Sequence, residues 1–248
     1  MLSLILFITI LGTAVGIIGT GLGGLAALFI VKPSSRFIGV LLGITSGIML
    51  SIVTFDLLPE SYNISGLATE ILGICLGVLT VVLVEGFFPV VNNSKPPYNS
   101  KTSFLKTGLL LGVAIGIHNL PEGLAIGSGY MLTSKMGITM ALVIALHNFP
   151  EGLAMAMPLR LSGTSAFKIV FFTFLAGIPT GIGAFIGAIL GGLSDFFIAL
   201  CLAFAGGTML YITCGEMIPS AKALHKGRAS AIGIALGFII GLIISIKL

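Results

Sequence analysis

The chain has 248 residues, of which 56% are hydrophobic and only 8% charged, and its mean hydropathy is +1.19. A soluble domain carries about 25% charged residues, so this set cannot clothe a water-exposed surface and lipid must be its main solvent. The net charge of +4 does not imply a nucleic-acid partner, because the basic residues stand singly in short loops with no aromatic-interleaved cluster. Cys75, Cys201 and Cys214 form no CxxC and no disulfide framework, so they read as small buried side chains.

Apolar runs long enough to cross about 30 Å of hydrocarbon predict an all-α integral membrane protein of eight spans. In chain order these are 3–31, 37–59, 67–91, 105–130, 136–158, 167–193, 196–218 and 229–247, forming one transmembrane domain over 1–248. The first Lys is Lys32, so the opening run reads as a spanning helix and not as a cleaved leader. Residues 92–103 (NNSKPPYNSKTS) are the one real linker, expected to be cytoplasmic; the other connections are tight. Lys32, Arg36, Lys95, Lys101, Lys106, Arg160, Lys168, Lys222, Lys226 and Arg228 fall on one side of the membrane, against Lys135 and Lys247 on the other. That bias predicts both termini on the extracellular or periplasmic face of the cell membrane.

The chain repeats itself. Span 2 reads GIMLSIVTFDLLPES from Gly47 and span 7 reads GTMLYITCGEMIPSA from Gly207, a constant offset of 160 that aligns Asp56 with Glu216. The two are five places apart in span order, with four spans between them, so they run in opposite directions, the pattern of an inverted repeat. Asp56 lies about 30 Å beyond Arg36 and Glu216 about 30 Å beyond Asp195, near opposite surfaces. Both read either as ordinary interfacial acids or as stations on a cation path. Glu60 and Glu70 are expected in a solvated outer loop, Glu85 as a snorkelling or helix–helix hydrogen-bonding acid, and His225 as a surface residue. Gly runs at four-residue spacing, 108/112/116, 183/187/191 and 233/237/241, are expected to be packing seams.

The chemistry sits in spans 4 and 5. His118-Asn119-Leu120-Pro121-Glu122-Gly123-Leu124-Ala125 recurs as His147-Asn148-Phe149-Pro150-Glu151-Gly152-Leu153-Ala154, seven of eight positions identical. His and Glu four apart share one helix face, with the Asn beside them. Lys106 precedes His118 by twelve residues and Lys135 precedes His147 by twelve, from opposite surfaces. Each His is therefore about 18 Å deep, near the midplane. A five-residue connection makes the helices antiparallel neighbours, so two imidazoles and two carboxylates can converge. Each Pro frees a carbonyl, Ile117 or Leu146, and bends its helix at that depth. An ionisable group in hydrocarbon costs roughly 3 kcal/mol, so a duplicated set at one depth is not mere packing. Imidazole with carboxylate suits zinc, iron or manganese, and the absence of a thiolate trap suits a site that must release its ion.

On these octets, the spans and the repeat, the chain resembles the bacterial branch of the ZIP family of zinc- and iron-regulated metal transporters, over essentially its whole length. The resemblance implies a bundle of three, two and three helices with metal held by the central pair and moved into the cytoplasm. It implies His118, Glu122, His147 and Glu151 as primary ligands and Met49 as a soft neighbour at the same depth, with Asn119 and Asn148 in an adjoining second site. Relatives with two bridged metals carry a Glu before a Pro in span 6, where this chain has Ile178, and some have an acid where it has Asn148. A second metal at full strength is therefore not expected.

The expected cargo is zinc, with iron, manganese or cadmium as further substrates, and no organic cofactor. The expected partners are the metal ion and the bilayer, with a homodimer allowed and no nucleic acid. The competing class is an intramembrane metalloenzyme with a His2Glu2 centre, but no HExxH and no third acid accompany the octets.

Overall fold

The computed structural model describes residues 1–30, 34–87, 101–225 and 227–247, with backbone only at Ser35, Glu85, Phe87, Ser103 and Lys247. Among them there is no strand. Helix α1 is Leu2–Phe29, α2 Ser35–Ile52, α3 Leu58–Phe87, α4 Lys101–Leu132 and α5 Ser134–Leu161. They are followed by α6 Ala166–Gly191, α7 Asp195–Ile212, α8 Ile218–Leu224 and α9 Ala229–Lys247. Most of the expected linker lies outside the described residues, and its last three residues open α4.

Among the described residues, seven helical runs are long and apolar enough to cross a bilayer. One of them, Arg36–Val84, spans 49 residues, about 74 Å if straight and over twice the hydrocarbon thickness. It is not straight. Gly66, at φ 75° and ψ 176°, interrupts α3, a conformation that costs glycine alone no Cβ clash. Before this residue, Leu58 lies over Gly206 and the Ser61 hydroxyl donates to Ala199 O at 2.8 Å. After it, Gly73 faces Ala203 and Gly77 faces Phe204 and Thr208. The path thus runs down α7 and then back up it. The outer loop expected to hold Glu60 and Glu70 is not a loop: both acids sit in α3, and one glycine makes the turn.

The internal repeat is a repeat of structure. Residues Val53–Leu57 and Thr213–Met217 are both π-helical, again 160 apart. In each, a Pro follows (Pro59, Pro219) that lacks the N–H to continue the α ladder. The backbone widens instead, with Leu58 N–H on Val53 O and Ile218 N–H on Thr213 O. Packing repeats too: α2 lies on α9 and α3 on α7, while α1 flanks α5 and α6 flanks α4. In space, α1 and α6 flank the central pair α4–α5, and α2, α3, α7, α8 and α9 form the other group.

The octet glycines explain how closely the flanking helices approach. A Cβ on Gly123 would strike Thr180 O of α6, and one on Gly152 would strike Thr20 O of α1. Main chain cannot step aside, so both positions must stay without a side chain. Of the expected seams, 183/187 and 233/237 meet backbone, whereas Gly116 has only Pro179 nearby at 3.8 Å. Two cysteines correct their expectation. Cys201 is buried, but Cys75 and Cys214 are exposed, because apolar side chains need no protein cover where lipid is the solvent.

Candidate metal centre

The connection between α4 and α5 is shorter than expected. Thr133 alone joins them, its hydroxyl accepting from Met136 N–H at 3.1 Å as an N-cap. Both helices continue through their octet prolines. The hairpin therefore sets the two octets against each other at one depth.

They contribute unequally. His147 Nε2 lies 2.8 Å from Glu122 Oε1, and both residues are fully buried. Glu151 completes a cluster whose ligand atoms all lie within 4.8 Å of one another. Both Glu151 oxygens are buried without a hydrogen-bond partner among the described residues, which is costly unless a cation faces them. The Asn148 amide, oriented by its partners, brings its nitrogen within 3.1 Å of Glu122 Oε2 and 3.2 Å of Ile144 O. So α5 directs His147, Asn148 and Glu151 inward, while α4 adds Glu122.

The other polar members of the α4 octet make different contacts. His118 Nε2 lies 3.8 Å from Glu216 Oε2 of the second π segment, and His118 is not in the three-residue cluster. The Asn119 amide donates to Ala176 O of α6 at 2.7 Å. Met49 is buried and accepts from the Thr213 hydroxyl at 3.6 Å. Asp56 accepts from Ser245 at 2.8 Å beside a cavity of about 200 Å³ lined by Glu60, Lys135, Thr139 and Met140. Ile178 is 39% exposed on α6, unlike the cluster.

An imidazole and two carboxylates within 4.8 Å form a nitrogen and oxygen set of the kind that holds zinc or iron, with room in a tetrahedral shell for a fourth, exchangeable donor. Met49, Ile126, Met140, Ile144, Met209 and Ile212 belong to one apolar core. His118 and Glu216 offer polar groups in the other direction, where the Glu216 side chain is 31% exposed.

Sequence reasoning missed Thr213, Ser245 and Arg160. The Arg160 guanidinium donates to Ala27 O and to Ile30 O, the latter at 2.7 Å, and so closes the end of α1. The cue for Thr213 was available, since the repeat pairs it with Val53, a polar residue against an apolar one.

Residues 92–245 match the family model described as "ZIP Zinc transporter". The chain is 29% identical over 137 residues to a zinc transporter ZupT of Streptococcus mutans, covering 48% of this chain and 51% of that one. It is 29% identical over 128 residues to the ZupT of Lysinibacillus sphaericus, covering 44% and 47%. It is 32% identical over 133 residues to the ZupT of Salmonella paratyphi A, covering 50% and 49%. The chain spans about half the length of the curated relatives it matches. With the family model covering more than half of its residues, the chain belongs to the ZIP zinc transporter family.

Proposed function

We propose that this protein carries zinc across the cell membrane into the cytoplasm through the Glu122–His147–Glu151 site, with iron, manganese or cadmium as further substrates. The observation that carries the reading is the convergence of those three buried side chains within 4.8 Å, with both Glu151 oxygens lacking a hydrogen-bond partner among the described residues. His118 and Asn119 line the path beside it, Met49 flanks it, and Asp56 and Glu216 are stations toward either surface. The printed name of the relatives, zinc transporter, supports the choice of metal.

The reversal of α3 along α7 supports eight crossings in an inverted repeat with both termini outside. Inward release is supported by the partial exposure of Glu216, which precedes Lys222 and Arg228 on the side read as cytoplasmic. The test is zinc flux into liposomes holding the purified chain. Saturable zinc uptake supports the reading, and a chain that binds zinc but moves none would sink it.

A further inference from the structure

Threonine hydroxyls in membrane helices normally bond back onto their own helix, and Thr20, Thr45, Thr54 and Thr208 do so here, each to the carbonyl four residues earlier. Thr213 does not. At the start of its π segment, fully buried, it reaches across to the sulfur of Met49 on α2, 164 residues away in sequence. The repeat sharpens the contrast. Met49 pairs with Met209, and Thr213 pairs with Val53, so Met209 receives no hydroxyl from the equivalent position.

Met49 lies thirteen residues beyond Arg36, about 20 Å deep and level with the octet histidines. It belongs to the same apolar core as Ala125, one turn past Glu122, and Ile144, one turn before His147. A thioether is a soft, polarisable donor that favours soft ions. A hydroxyl hydrogen engaged on its lone pair both holds the sulfur in place and weakens it as a metal donor.

We infer that Thr213 is a specificity-determining residue: its hydroxyl withholds the Met49 sulfur and biases the site toward zinc over softer ions such as cadmium. This rests on the metal site proposed above, but it concerns a residue outside the ligand set.

The experiment is calorimetric titration of the full chain in nanodiscs with zinc chloride and cadmium chloride. Thr213→Val is expected to move the cadmium-to-zinc affinity ratio toward cadmium by about fivefold, the size of one modest hydrogen bond. Thr213→Ala should move it the same way and covers misfolding of the valine variant. Thr213→Ser should keep the wild-type ratio, and adding Met49→Leu to Thr213→Val should restore it. An unchanged ratio in both Thr213→Val and Thr213→Ala, or a shift that survives loss of Met49, overturns the inference. Wild-type zinc binding by Glu122→Gln would instead overturn the site itself, whatever Thr213 does.

Discussion

His147 and Glu122 meet at 2.8 Å across the α4–α5 seam, whereas the repeat-related His118 stands 3.8 Å from Glu216 on a different element. The two copies of the octet are therefore not equivalent. The α5 copy brings His147 and Glu151 to the cluster, and the α4 copy brings Glu122 while its His118 lies beside Glu216.

That division makes the ligands separable. His147→Ala and Glu122→Gln each remove one of the three converging donors and should lower zinc affinity by more than about a hundredfold, beyond the usual cost of losing a supporting contact. His118→Ala should spare binding and slow flux. Titration and liposome uptake on the same preparations check both halves, and wild-type affinity in His147→Ala would remove the imidazole from the site.

Acid should weaken binding. Metal needs neutral imidazole and ionised carboxylate, so protons compete as pH falls through the ordinary imidazole range near about 6.5. The sign is loss of affinity on acidification, approaching about tenfold per pH unit for each displaced proton. A titration series from pH 7.5 to about pH 5 measures this, and a flat profile excludes imidazole ligation.

One zinc per chain is the expected stoichiometry. Two ions close together repel strongly at low dielectric unless carboxylates bridge them. Here the Asn148 amide nitrogen, not a third carboxylate, lies beside Glu122 Oε2. Asn148→Asp should raise the count measured by equilibrium dialysis or tighten a second ion. Ile178 is a poorer place to add an acid, being 39% exposed while the cluster residues are 3% exposed or less. Two equally tight zinc ions in the wild type would falsify the single-ion reading.

Stability should depend on residues that offer the metal no ligand. Gly152→Val drives a side chain into the Thr20 main chain and should cost about 3 kcal/mol or more, since backbone cannot repack. Arg160→Ala strips the donors from Ala27 O and Ile30 O and should cost about 1–3 kcal/mol. Thermal unfolding in detergent reads both as lowered midpoints. Zinc affinity of the folded fraction should be unchanged in the Arg160 variant.

The amino-acid sequence by itself determined the solvent, the helical class, the residue types of the candidate site and the pairing of the two octets. Composition decides whether water or lipid is the solvent, and ligand chemistry is local to a few residues. The offset of 160 likewise anticipated that Asp56 and Glu216 would occupy equivalent places, because a Pro three residues after each acid imposes the same break in the ladder. Which octet members face the centre was decided only by tertiary structure. Periodicity says that His118, Asn119 and Glu122 share a face, but not how far α4 is rotated about its own axis. That rotation is set by the close approach of α6 at Gly123 and of α1 to α5 at Gly152. The turn at Gly66, the reach of Thr213 to Met49 and the cap by Arg160 depend in the same way on neighbours more than a hundred residues distant, beyond the range of local pattern.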